Sequence, residues 1–264
     1  MSLKNLSVRK KIPKIYKSKI LNHKVNKIFK KFEKSFKIDT NFIVAVSGGA
    51  DSLALAFLTK VYALKKNLNP RYFIVDHKLR KESTNEADKV KRVLKSLKIN
   101  AHVLTWKGKK PVNNIQSLAR NKRYELLFSK CKKLKISNLV LGHHLDDQLE
   151  TVFLQWIRGA GLNGLTGMIE FSKKTILNKI VKVWRPILGF SREEIYAYAV
   201  QNKLDWVEDH SNKNLDFDRN NLRAHIIPKL VLMRKGAKKN MYRSIKHLQN
   251  VRDNMNLMLN ESLS

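Results

Sequence analysis

Phe42–Ser52, FIVAVSGGADS, is the stretch whose reading decides the fold. Its first five side chains carry no polar group, as expected of a parallel strand buried on both faces. The chain then runs through Ser47-Gly48-Gly49-Ala50-Asp51-Ser52 into an apolar helical run from Leu53 to Leu64. A strand that ends in a glycine-rich turn and opens a helix is a phosphate cradle. Glycine lets backbone approach the anion, and the first helical N–H groups face it with the positive end of the dipole. No Gly-Lys-Ser/Thr is present, so the lysine that grips the β- and γ-phosphates of P-loop enzymes is missing. The hydroxyls of Ser47 and Ser52 and the carboxylate of Asp51 suit a pyrophosphate group and its magnesium ion.

Outward from that unit the pattern repeats. Arg71–Arg80, RYFIVDHKLR, reads as a second strand ending in Asp76-His77. Ser83-Thr84-Asn85-Glu86 has the form of a capping box, opening a helix whose buried stripe is Ala87, Val90, Leu94 and Leu97. A third strand is expected at Ala101–Trp106, a long helix at Asn114–Leu134 and a fourth strand at Asn138–Leu141. Strands alternating with helices specify an α/β fold with a doubly wound, mainly parallel sheet. Ligands bind such sheets beyond the carboxyl ends of the strands. Ser47–Ser52, Asp76-His77 and Gly142-His143-His144 all fall at those ends.

Within the long helix, ARNKRY sets Arg120 and Arg123 three apart on one face, while Leu118, Leu126 and Leu127 can face the core. Two guanidinium groups near a phosphate site suit ATP or an RNA phosphate. The densest chemistry lies in Leu141–Trp156, LGHHLDDQLETVFLQW. Leu145, Leu149, Val152, Phe153 and Trp156 are expected on the buried face of a helix, with Asp146, Asp147 and Glu150 in its first turns. The dipole favours acids there, but two histidines and two aspartates at one strand end exceed what capping requires. His143 and Asp147, four apart, can face one another. No third ligand is spaced for zinc. The better reading is a pocket where a histidine contacts ATP and a carboxylate, Asp146 or Asp147, holds a cationic amine.

Arg158–Met168, RGAGLNGLTGM, matches a dinucleotide fingerprint at Gly159, Gly161 and Gly164, but it follows a helix instead of a strand and is rejected as one. Its glycines and Arg158 read as a loop or lid against the site. A strand is expected at Ile176–Trp184, then Arg185-Pro186-Ile187-Leu188 and a helix capped at Ser191-Arg192-Glu193-Glu194. Trp206–Asn212 and Asp218–Arg223 form a polar segment too elaborate for a plain connector. A basic amphipathic helix follows from Lys238, with Met241, Ile245, Leu248, Val251 and Met255 on one side.

Three regions are expected: a basic helical extension at 1–38, a catalytic domain at 39–230 and a C-terminal helical segment at 231–264. The extension carries 13 Lys/Arg and one acid, and its apolar residues from Leu21 to Phe36 recur at helical spacing. It is either an electrostatic arm for RNA or a helix packed on the domain. Over 264 residues, 54 Lys+Arg against 21 Asp+Glu give a net charge of +33, which points to a polyanionic partner such as nucleic acid. Part of that excess follows from a chain rich in Lys and Asn throughout. No apolar run approaches the length of a membrane span. The single cysteine, Cys131, suits a reducing compartment.

SGGADS resembles SGGxDS, the signature of the PP-loop family of ATP pyrophosphatases, which cleave ATP between the α- and β-phosphates. SGGADS, VDHKLR, ARNKRY, LGHHLDDQLET, RGAGLNGLTGM, RPIL and DHSN…DRNNLR, in that order, resemble the tRNA(Ile)-lysidine synthase family from about Phe42 to Leu230. The resemblance implies a Rossmann-like PP-loop ATPase. Its reaction adenylates C2 of the wobble cytidine in the CAU-anticodon isoleucine tRNA, and free L-lysine then displaces AMP. It implies ATP and Mg2+ as co-substrate and cofactor. Ser47, Gly48, Gly49, Ala50, Asp51 and Ser52 would bind ATP, assisted by His143 and an arginine of Arg120 and Arg123, with Asp51 near the metal. Asp147 or Asp146 would hold lysine, and Arg158, Arg219 and Arg223 would contact tRNA or the transition state. Bacterial cytoplasm and plastid stroma both suit such an enzyme. Two competitors are a tRNA thiolase, which needs a cysteine pair that Cys131 alone cannot supply, and a tRNA-binding relative without catalysis.

Overall fold

The computed structural model describes residue 16 and residues 23–108, 113–176, 179–207 and 218–262. The strand expected at Phe42 lies inside a six-stranded sheet. β1 (Phe42–Val46) pairs in parallel with β2 (Arg71–Asp76) on one side and β4 (Asn138–Val140) on the other. β3 (Ala101–Thr105) continues beyond β2 and β6 (Lys179–Trp184) beyond β4, both parallel. β5 (Phe171–Ile176) closes the edge antiparallel to β6, giving the order β3-β2-β1-β4-β6-β5. The chain builds outward from β1 to β3, then returns to the other side of β1 with β4. A crevice therefore opens between the carboxyl ends of β1 and β4, the switch point where such sheets bind ligands.

The apolar run of β1 is explained by its two covered faces. Phe42, Val44 and Val46 enter a large core with α1 (His23–Ser35), α2 (Ala50–Lys66), α3 (Ser83–Ser96) and α7 (Arg192–Gln201). Ile43 enters a second core, with Leu127, Phe128 and Cys131 of α4 (Ile115–Leu134). Alternate residues of one strand thus anchor the two helical layers.

α1 belongs to the main core. Phe32 and Phe36 are fully buried, and Phe36 meets the rings of Phe42, Tyr62 and Trp184. Burying a phenylalanine contributes roughly 1.5–3 kcal/mol, enough to hold a lysine-rich helix against the sheet. The rest of the extension, residues 1–15 and 17–22, lies outside the described residues, as does 208–217 with its expected polar motif.

Four expectations are corrected. Ser83 does not cap α3: its hydroxyl and that of Thr84 are drawn to donate to the charged Asp76 carboxylate (2.8 Å each), and the capping position falls to Glu82, which makes no side-chain cap bond. The single strand expected at Ile176–Trp184 is the second arm of a hairpin whose first arm, the lysine-containing β5, lacks an apolar run. Trp156, expected to be buried, is 65% exposed. The cluster around Leu145 and Leu149 covers the first turns of α5 (Leu145–Ile157), and cover is lost by its last turn. Leu118 likewise stands in the exposed first turn of α4. The last helix, α10 (Ala237–Ser262), buries Ile245 and Gln249, while Val251 and Met255 remain half exposed.

Candidate active site

The loop after β1 is shaped by backbone more than by side chains. Gly48 has φ +101°, and a Cβ there would lie 2.3 Å from Val90 Cγ2. Its N–H donates to Ser52 Oγ (2.9 Å), and Ser52 Oγ donates to the Gly49 carbonyl (3.0 Å). Val207 N–H donates to the Gly48 carbonyl, fastening the loop from outside. Gly49 is the N-cap of α2 and supplies no side-chain cap, so first-turn N–H groups stay open to an anion. Ser47 is exposed at the mouth.

The second rim follows β4. Gly142 passes so close to α2 that its Cβ would lie 3.5 Å from Ser52 Cα, which sets the two histidines against the loop. His144 caps α5. Its Nδ1 accepts from Asp146 N–H (3.2 Å), and Asp147 Oδ2 accepts from His144 N–H (3.0 Å). Its other nitrogen, Nε2, lies 3.4 Å from Asp51 Oδ2 and 3.5 Å from Asp147 Oδ2. Burial opposes a charge on this imidazole, while Asp147, Asp51 and Asp146 draw its pKa upward; because Nδ1 accepts an N–H, the proton it keeps sits on Nε2, between the two acids. His144 was not singled out for a role in the sequence. Its signal was its place at N-cap with an aspartate at N3.

The two adjacent aspartates diverge. Asp146 is turned into the protein, where Arg192 N–H donates to Oδ2 (2.9 Å) and Lys238 Nζ donates to Oδ1. Lys238 also donates to Glu193 (2.7 Å). Burial works against the Glu193 charge, yet bonding from Lys238 brings its pKa down to about 2. Asp147 faces His144 and, at 3.8 Å, Arg223. Burial raises its pKa, and His144, a backbone N–H and Arg223 more than reverse that, so Asp147 is held ionised.

One turn on, Glu150 is fully buried beneath them. Arg223 donates to both its oxygens (2.7 and 3.0 Å), and Arg219 approaches at 3.4 Å while also donating to Thr151. Sequence reading placed Glu150 in the helix but gave it no role. The arginines that bind it sit on α8 (Asp218–Asn221) and the π-helical turn Leu222–Ile226. Arg158 lies elsewhere, at the far end of α5 and roughly 16 Å along the axis from Asp147. It is exposed and 3.9 Å from Asp218.

On the opposite side stands a positive cluster. Burial lowers the His143 pKa to about 3, with Arg185, Arg123 and Arg120 adding to the effect and Asp147 opposing it, so this imidazole is neutral. Arg120 is exposed, while Arg123 is more enclosed. Among the described residues, buried His143 Nδ1 and the Nε groups of Arg123 and Arg185 have no hydrogen-bond partner. Unpaired buried donors beside an open loop are what an anionic ligand would complete. No group of three or more metal-ligating side chains occurs among the described residues. Magnesium on a nucleotide needs only one or two carboxylates beside phosphate and water. Asp51, in the loop and about a third exposed, fits that role.

The PP-loop domain profile matches residues 18–230. The chain is similar to the tRNA(Ile)-lysidine synthase of Wolbachia pipientis wMel, with 43% identity over 67% of this chain and 40% of that protein. It is also similar to the enzyme of the same name from Orientia tsutsugamushi (strain Boryong), with 33% identity over 84% of this chain and 50% of the relative. It thus spans about half the length of the curated relatives it matches. In fold it resembles the U34-tRNA thiolase NcsA of Methanococcus maripaludis, with a TM-score of 0.72 and 20% identity over 85% of this chain and 78% of that one. With the loop seated at the switch point of the sheet and the profile matched across most of the sequence, this chain belongs to the PP-loop domain family.

Proposed function

We propose that the chain ligates L-lysine to C2 of the wobble cytidine, position 34, of the CAU-anticodon isoleucine tRNA at the expense of ATP. The observation that carries this reading is the single imidazole of His144 between Asp51, in the phosphate loop, and Asp147, in the acidic pocket. A nucleotide site and an amine site that close can share one base. The names of the similar relatives and the charge of +33 support the substrate class.

In the first step the C2 carbonyl oxygen attacks the α-phosphorus, the bridging bond to the β-phosphate breaks and pyrophosphate leaves. In the second the lysine ε-amine, having lost a proton, attacks C2, the C–O bond breaks and AMP leaves. The N–H groups of Ser47–Ser52 other than that of Gly48, which is bonded to Ser52 Oγ, hold phosphate oxygens, and Asp51 would hold a magnesium ion that would supply neutralising charge at the departing pyrophosphate. Arg123 and neutral His143 turn their unpaired buried nitrogens to the nucleotide, and exposed Arg120 adds charge at the rim. Asp147, kept ionised, holds the lysine ammonium and takes its proton. Asp146 is already bound by Lys238. Arg219 and Arg223 hold the wall of the amine pocket through Glu150, and exposed Arg158, beside Asp218, meets RNA phosphate.

The test is a reaction of the purified chain with ATP and isoleucine tRNA, with and without lysine. Pyrophosphate release that depends on this tRNA, and AMP release and lysine incorporation that also depend on lysine, are the expected results. No pyrophosphate would mean a binding protein, and transfer of sulfur instead of lysine would mean a thiolase.

A further inference from the structure

The proposed reaction does not use the groove between the short helix α6 (Leu162–Leu165), with its cap Gly161, and the last helix. It is a cavity of about 350 Å³, with residues 161–164 on one side and Arg252, Met255, Asn256 and Leu259 of α10 on the other. That volume falls within the range of small-molecule sites. We propose that it receives one unstacked nucleobase of the RNA substrate, from the loop beside the reacting cytidine. This inference rests on the RNA reading above.

Three features support it. The first is a guanidinium fixed in place. Arg252 Nε and Nη2 donate to Asp253 (2.9 and 2.7 Å), and Nη1 donates to Thr166 Oγ1 (2.9 Å). Three bonds leave part of the five-donor fork for a ligand and set the plane of the group, which can stack on a base. The second is the mixed chemistry of the walls. The amides of Asn163 and Asn256 each offer a donor and an acceptor, while Met255 and Leu259 supply apolar surface for a base face.

The third is position. Gln148, the residue after Asp147, donates to the Met168 carbonyl (2.8 Å) and accepts from Met168 N–H (2.7 Å). Gln249 donates to the same carbonyl (2.9 Å) and to Thr166 O (2.7 Å). The groove therefore starts at a knot that grips the amine-pocket helix. Beyond Gln249 it runs along α10 from Arg252 to Asn256 and Leu259, a rise of roughly 10 Å over seven residues. A base lodged there would hold its neighbours near Asp147, which is how binding away from the reacting atoms orients them.

The test pairs protein variants with RNA lacking single bases. Anticodon stem-loop RNAs, each abasic at one loop position other than the reacting cytidine, are titrated against the full chain, Arg252→Lys and Asn256→Leu. Arg252→Lys keeps the charge and loses the planar fork, and Asn256→Leu leaves the Thr166 and Asp253 bonds intact. One abasic position is expected to weaken binding to the unaltered chain by about tenfold and to have little further effect on either variant. Equal losses across all three proteins at every position would overturn the inference, even with tRNA-dependent pyrophosphate release intact. If the unaltered chain binds no stem-loop and releases no pyrophosphate, the RNA reading falls and this site falls with it.

Discussion

Asp51 and Asp147 face the same imidazole nitrogen, at 3.4 and 3.5 Å from His144 Nε2. They arrive from different strands: one follows β1 through the phosphate loop, the other follows β4 at the start of α5. Because β1 and β4 are neighbours in the sheet, their carboxyl ends deliver both acids to one cleft.

Asp147→Asn separates binding of the amine from the architecture. The amide oxygen still accepts from His144 N–H, so the cap on α5 survives, while the charge for a lysine ammonium is gone. Lysine-dependent AMP release should fall about a hundredfold, the loss expected when one partner of a buried charged pair is removed. Thermal melting and tRNA-dependent pyrophosphate release should change little. A collapse of all three together would show that Asp147 serves structure alone.

Asp146→Asn should behave in the opposite way. Asp146 holds Lys238 and the backbone of Arg192 and so ties α10 and α7 to the start of α5. Removing its charge should cost about 2–3 kcal/mol in urea melts, less than for a fully buried pair because Lys238 keeps Glu193. The KM for lysine should stay near that of the unaltered chain. A rise matching that of Asp147→Asn would place the amine on Asp146.

Acid should weaken the rim of the sheet through Asp76. Burial opposes its charge, but the N–H of Lys78 and the hydroxyls of Ser83 and Thr84 bond the ionised form and hold its pKa below the usual carboxylate range. In the unfolded chain it titrates near its ordinary value of about 4. Its stabilisation is thus complete above that pH and is lost as pH falls through the lower folded value. Melting temperatures at pH 7 and pH 3 should differ more for the unaltered chain than for Asp76→Asn. Equal differences would remove Asp76 from the acid response.

What was legible in the sequence was mostly local. FIVAV announced a strand covered on both faces, and Ser191-x-x-Glu194 announced a cap that forms as written. The clustering of strand-end motifs followed from topology alone. Other features depended on partners far along the chain. Nothing in DDQ says that Lys238, 92 residues away, will bind Asp146 and leave Asp147 facing the cleft. Nothing near Glu150 announces Arg223. β5 was missed because an edge strand exposed on one face can be built from Ser, Lys and Thr, and Trp156 was misjudged because periodicity gives a direction but not how far the covering helices reach.

The two loop glycines should fail differently when each is replaced by alanine. Gly48 has φ +101°, and its Cβ would strike Val90, so Gly48→Ala combines backbone strain with overpacking. A loss of about 3 kcal/mol or more is expected. The double variant with Val90→Ala should recover only part of it, because the strain remains. Gly49 has φ −69°, and its Cβ would meet no atom within 4 Å. Gly49→Ala should therefore cost less than about 1 kcal/mol. That open space is where the reading above seats phosphate against backbone, so its methyl group should weaken ATP binding by about tenfold. Urea melts and ATP titrations on both variants decide the matter. If Gly49→Ala binds ATP as tightly as the unaltered chain, the nucleotide does not approach that backbone, and the phosphate site must be sought elsewhere on the rim.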